Sequence, residues 1–121
     1  MANPMQTGVY SWDDCPSDAP MPMLQRRRMV GVHAMISEII LEEGCQVSSH
    51  FHDNEQFAMV MSGHARFGVG EEGTPDHRTV DVRAGETLYL APNVPHSVVA
   101  IERTRVLDIF SPTSETTGID R

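Results

Sequence analysis

The sequence predicts an all-β fold, a sandwich or barrel of short strands in one domain of 121 residues. Three observations carry that reading. Segments of strand length recur with Gly, Pro, Asn or Asp between them at intervals of about 8 to 12 positions. No stretch longer than about ten residues shows helical periodicity. His50 and His52 stand two apart, which places both on one face of a strand but about 200° apart on a helix.

Residues 1–23 hold Pro4, Pro16, Pro20 and Pro22 among Asp13, Asp14 and Asp18, without periodicity. They read as an N-terminal arm or loop, with Tyr10 and Trp12 spaced to anchor it on one face. The barrel is expected over residues 24–112. Leu24 to Val30 is basic and predicts an edge strand. His33 to Leu41 is a β-branched, apolar run that Glu42-Glu43-Gly44 turns. His50 to His52 and Gln56 to Met61 follow, on a strand that bends between them, and Gly63 ends it. His64 to Val69 leads to a loop over residues 70–76 with Gly73 and Pro75. Arg78 to Arg83 alternates polar with Val80 and Val82. Thr87 to Leu90, Ser97 to Ile101 and Arg105 to Phe110 complete the set. Residues 113–121 read as a polar tail.

Net charge is −8, which disfavours a phosphate backbone or an anionic membrane surface as partner. It leaves an acidic small molecule open, because a metal and a few arginines can dominate one pocket. Cys15 and Cys45 are too few for a disulfide framework and read as free thiols. No apolar run approaches the ~20 residues that span a bilayer. The first 23 residues lack a basic start followed by an apolar core, so no secretory signal is expected and the expected compartment is the cytoplasm.

The chemistry centres on His50-Phe51-His52, Gln56 and His96. Three imidazoles and a carboxamide complete a shell for a divalent first-row metal: Zn, Ni, Fe, Cu or Mn. The ligands are neutral, so the metal keeps its full charge toward an anionic ligand. In Arg105 to Phe110, alternation puts Val106, Asp108 and Phe110 on one face. An Asp among apolar neighbours is paired, solvent-facing or a pocket carboxylate suited to acid–base work. Arg26 and Arg28 share a face opposite Arg27, so Arg28 is a candidate substrate ligand at the barrel mouth. Arg66, sharing a face with His64 and Gly68, is another. His33, His64 and His77 read as surface or loop histidines, and Met29, Met35, Met59 and Met61 as core filler.

Gly44, five residues, His50-x-His52, three residues, Gln56, six residues and Gly63 resemble the first motif of the cupin superfamily, with Gln56 at the usual Glu. Gly85 to His96 is similar to the second motif, whose last His is the fourth ligand. There Ala91 replaces the usual Pro and Asn93 the usual Gly, at a turn position that favours φ > 0. Ala100 stands where an Asn is usual. The resemblance covers about residues 24 to 112 and implies a double-stranded β-helix, or jelly roll. His50-x-His52, Glu55-Gln56, Pro92-Asn93-Val94-Pro95-His96 and Leu107-Asp108-Ile109-Phe110-Ser111-Pro112 look most like the small cupins of pectin and alginate degradation. Those proteins open the ring of 4,5-unsaturated uronates with a three-His, one-Gln metal, a nearby Asp and an aromatic two residues on. The resemblance implies metal ligands His50, His52, Gln56 and His96, Asp108 as catalytic acid–base, and Phe110 against the substrate. Two segments depart from that group: His52-Asp53-Asn54 stands for its His-Pro-His, and the Pro-rich arm for a smoother N-terminus.

The expected function is therefore a non-redox metal enzyme acting on a small carboxylated carbohydrate. A metal-dependent dioxygenase and a non-catalytic binding module are the alternatives. A homodimer paired through sheet edges is expected, with Leu24 to Val30 and the arm in the contact.

Overall fold

The computed structural model describes residues 5–117. After one 3-10 turn at Trp12–Asp14, ten strands follow: β1 (Ser17–Met21), β2 (Leu24–Val30), β3 (Met35–Leu41), β4 (Gln46–His50), β5 (Glu55–Ser62), β6 (His64–Val69), β7 (Arg78–Arg83), β8 (Thr87–Leu90), β9 (His96–Ala100) and β10 (Thr104–Ser111). They form a six-stranded sheet in the order β1-β2-β3-β10-β5-β8 and a four-stranded sheet in the order β4-β9-β6-β7. Every pairing is antiparallel. The sheets pack face to face, as the jelly-roll expectation requires.

Alternation decides which side chains meet between them. Along β10, Thr104, Val106, Asp108 and Phe110 are buried while the residues between them are half-buried. Leu24, Ile39, Leu41, Val60 and Val106 from the large sheet pack on Val47, Ala65, Phe67, Val82 and Ala100 from the small one. Burying each larger apolar side chain contributes roughly 1.5–3 kcal/mol. Gly63, at φ 93°, lets β5 turn tightly into β6; a Cβ there would lie 2.3 Å from the Arg103 carbonyl oxygen. Asn93 takes φ 67°, as its turn position demands.

Four expectations change. Leu24 to Val30 is not an edge strand: the N-terminal arm supplies β1, which pairs with β2 through Asp18↔Arg26 and takes the edge itself. His50 and His52 do not share a strand. β4 ends at His50, His52 sits in the link, and β5 starts at Glu55 in the other sheet. Strand parity therefore does not unite the ligands; the chain's crossing between sheets does. Met35 opens β3, because Gly31 N–H donates to the Ala34 carbonyl at 2.8 Å and holds residues 31–34 in a turn. The polar C-terminal tail does not stand apart from the barrel: Thr117 is buried. Residues 118–121 lie outside the described part of the chain.

On the outer face of the large sheet, β2 and β10 flank β3 and aim Arg27 and Arg105 at Glu38. Arg27 Nη2 lies 2.6 Å and Arg105 Nε 2.8 Å from its carboxylate oxygens. Glu38 is 3% exposed, and the two cations together outweigh its desolvation.

Candidate metal centre

Register brings His50 and His96 together: they are Cα partners where β4 ends and β9 begins. His52 comes from the link between the sheets. Gln56 enters from β5, opposite Phe110 on β10 and Leu90 on β8. The rings gather tightly, with centroids 4.4 Å apart for His50–His96, 5.1 Å for His52–His96 and 5.9 Å for His50–His52. One ring nitrogen from each lies within 4.8 Å of the others.

Each ring is held by its second nitrogen. Nδ1 of His50 meets the Ser48 carbonyl at 2.8 Å, Nδ1 of His52 the Asn54 carbonyl at 3.1 Å, and Nδ1 of His96 the Val94 carbonyl at 2.9 Å. A carbonyl only accepts, so each Nδ1 carries the proton and each Nε2 keeps its lone pair. Gln56 is fixed in the same sense. Its Nε2 donates to Asp108 Oδ1 at 2.9 Å, which leaves Oε1 for the centre. Nε2 of His52, Nε2 of His96 and Oε1 of Gln56 are all buried without a hydrogen-bond partner. Buried acceptors are rarely left so, at a cost of about 1–3 kcal/mol each. Burial, helped by the neighbouring His50 and His52, pushes the His96 imidazole down to about 4, against a smaller opposing pull from its bond to Val94. It is neutral near pH 7, the form that ligates. The donor set fits a divalent first-row metal held by His50, His52, Gln56 and His96.

Asp108 lies on the same inner face. Burial pushes its carboxyl up to about 7, and the Gln56 amide pulls the other way. Among the described residues lining the cavity beside the histidines it is the single carboxylate. Phe110 is 2% exposed, and its ring packs against that of His52 with centroids 5.6 Å apart, so it braces His52 as well as walling the cavity.

The arginines separate. Arg28 is on the inner face, in the cross-strand row Arg28↔Ser37↔Asp108. Arg66, expected at the site, is not there: Ala65 and Phe67 take the inner face of β6, so Arg66 points outward. There it donates to Asp81 at 2.9 Å, a carboxylate that His64 also contacts at 3.0 Å. His77 likewise lies off the centre, against the Gly70 carbonyl. Two site residues escape the sequence reading. Asn54, 2% exposed, presents its carbonyl to His52 and its side-chain amide to the Pro112 carbonyl. Thr117 lines the cavity from the far end of the chain. Neither belongs to a spacing pattern; only the position of Asn54 between two ligands marks it.

Solved structures share this architecture. A RmlC-like cupin from Shewanella frigidimarina superposes with a TM-score of 0.79 at 20% identity, covering 92% of this chain and 95% of its own. KdgF from Halomonas sp. gives 0.78 at 21% identity, over 89% of this chain and 97% of that one. Oxalate decarboxylase from Bacillus subtilis gives 0.79 at 21%, over 94% of this chain. The chain spans about a third of that larger protein, 32%. At such identities the likeness is one of fold. No curated protein matches the sequence significantly. The cupin domain family, however, matches residues 37–110, more than half the sequence and both ligand-bearing motifs, and the chain belongs to that family.

Proposed function

We propose that this cupin is a metal enzyme that opens or isomerises the ring of a small carboxylated carbohydrate of the unsaturated-uronate type. The observation that carries the reading is the pairing of a neutral three-His, one-Gln donor set with one buried carboxylate, Asp108, hydrogen-bonded to the Gln. Bound by those four residues, a divalent metal would supply Lewis acidity that its ligands do not cancel. The protein groups do the rest. The three backbone carbonyls hold the imidazoles in one tautomer. Asp108 is the group beside them that can take and return a proton, which ring opening and tautomerisation both need. Phe110 and the apolar wall of Val106 and Phe67 keep bulk water off that carboxyl. The resemblance of the motifs to ring-opening cupins supports the substrate class. We include in the reading a homodimer formed through a sheet edge.

The test is metal analysis joined to turnover of a 4,5-unsaturated uronate. Metal-dependent consumption supports the reading. Consumption of oxygen with an organic acid instead transfers it to the dioxygenase alternative, and stoichiometric metal with neither activity leaves a binding module.

A further inference from the structure

The cavity beside the histidines has a volume of only about 40 Å³. That is room for one or a few waters, whereas small-molecule sites run to roughly 300–1,000 Å³. One wall of it is Thr117, which is 5% exposed and comes from the segment after β10. The residues just before it border a second, larger space. Ser114, Glu115 and Thr116 face Asp18, Arg26 and Arg28 across a cleft of about 590 Å³. Arg28 donates from Nη1 to the Glu115 carbonyl at 3.2 Å. The segment 114–117 thus borders both spaces: Thr117 lines the carboxylate-and-histidine chamber, and Ser114 to Thr116 line the cleft that holds Arg28 beside the Arg26–Asp18 pair.

Register fixes the distance between the two ends. Arg28, Ser37 and Asp108 occupy one cross-strand row. Strands lie about 4.8 Å apart, so Arg28 and Asp108 have Cα atoms roughly 10 Å apart. A monosaccharide acid with its carboxylate at the guanidinium and its ring beside Asp108 spans that gap once both side chains reach in. The backbone carbonyl of Glu115 now takes the guanidinium hydrogen that a carboxylate oxygen would take, and two charge-assisted bonds to a carboxylate are the stronger arrangement.

We propose that residues 114–117 are a displaceable plug, and that Arg28 is the carboxylate-binding residue it masks. A small sugar acid enters by displacing the segment, which joins the two chambers into one site. This rests on the proposed substrate class, but its test does not need turnover.

The experiment uses the full-length chain and galacturonate, a saturated uronate, with galactose as the uncharged control. Calorimetry gives affinity, and amide hydrogen exchange follows the peptide containing residues 113–117. The plug requires that galacturonate binding speeds exchange in that peptide; a lid closing over ligand would slow it. Arg28→Ala should weaken galacturonate about tenfold or more and leave galactose unchanged, and Arg28→Lys should recover part of the loss. Replacing residues 114–117 by Gly-Ser-Gly-Ser should tighten galacturonate, with circular dichroism checking the fold. Slower or unchanged exchange, equal binding by Arg28→Ala, or no binding even by the Gly-Ser chain overturns the proposal. If galacturonate binds as described while no unsaturated uronate is turned over, the plug stands and the proposed reaction falls.

Discussion

Gln56 donates an amide hydrogen to Asp108 at 2.9 Å, with both side chains buried on the inner face of neighbouring strands. The bond gives Asp108 two separable duties. One oxygen sets which end of the Gln56 amide faces the histidines, and the carboxyl as a whole remains a proton carrier. Substitutions can pull these apart. Asn at position 108 still offers a carbonyl oxygen to Gln56 but cannot exchange a proton. Asp108→Asn should therefore keep its metal and lose about 10²–10⁴-fold in turnover. Asp108→Ala frees the amide to rotate and should lower metal affinity about 10–100-fold as well. Equal metal binding by both variants would show that the bond orients nothing.

His52 is the candidate ligand that no strand carries. Its ring depends on the Asn54 carbonyl and on the Phe110 edge. His52→Ala should abolish stoichiometric metal in elemental analysis. Full occupancy in that variant removes the site as described.

Glu38 sets an acid limit on stability. Its burial favours the neutral carboxyl, but hydrogen bonds from Arg105 and Arg27 outweigh that and leave it lowered from 4.5. A depressed folded pKa gives stability that is present above the unfolded value and is lost as pH falls through the folded one. Glu38→Gln should cost about 2 kcal/mol at pH 7, and the gap from the parent should shrink as pH drops below 4.5. Denaturant titrations across that range decide it, and a gap independent of pH contradicts it.

The fold was legible because its signals are local. β6, β7 and β8 run as the sequence predicts, since alternation and glycine turns bound them. Alternation puts Asp108 on the face of Val106 and Phe110, and only the motif resemblance makes that face the site. The ligand geometry was legible only as a set. Spacing named the four residues but gave the wrong reason for their meeting, since nothing local shows that the chain changes sheets between His50 and Gln56. Ala65 and Phe67 mark the inner face of β6, yet the sharing of one face by Arg66, His64 and Gly68 does not by itself say which face that is. Asp81, the partner that occupies Arg66, lies on the neighbouring strand. The arm's β1 and the inward Thr117 are long-range outcomes, and Pro-rich or polar composition hides them.

Dimerisation should produce a light-scattering mass of about twice 13.4 kDa. Because β1 covers β2, the arm rather than Leu24 to Val30 offers the edge on that side. A single mass near 13.4 kDa contradicts the expectation.

If the histidine cluster serves metal-dependent chemistry on an unsaturated uronate, the reaction consumes the substrate's conjugated alkene. The direct measurement is the loss of the substrate's conjugated-alkene absorbance, followed with chain stripped by chelator and then reloaded with one divalent metal at a time. Loss of absorbance that vanishes on stripping, returns on reloading and falls about 10²–10⁴-fold in Asp108→Asn is the predicted result. A chain that holds stoichiometric metal yet leaves the absorbance unchanged contradicts it.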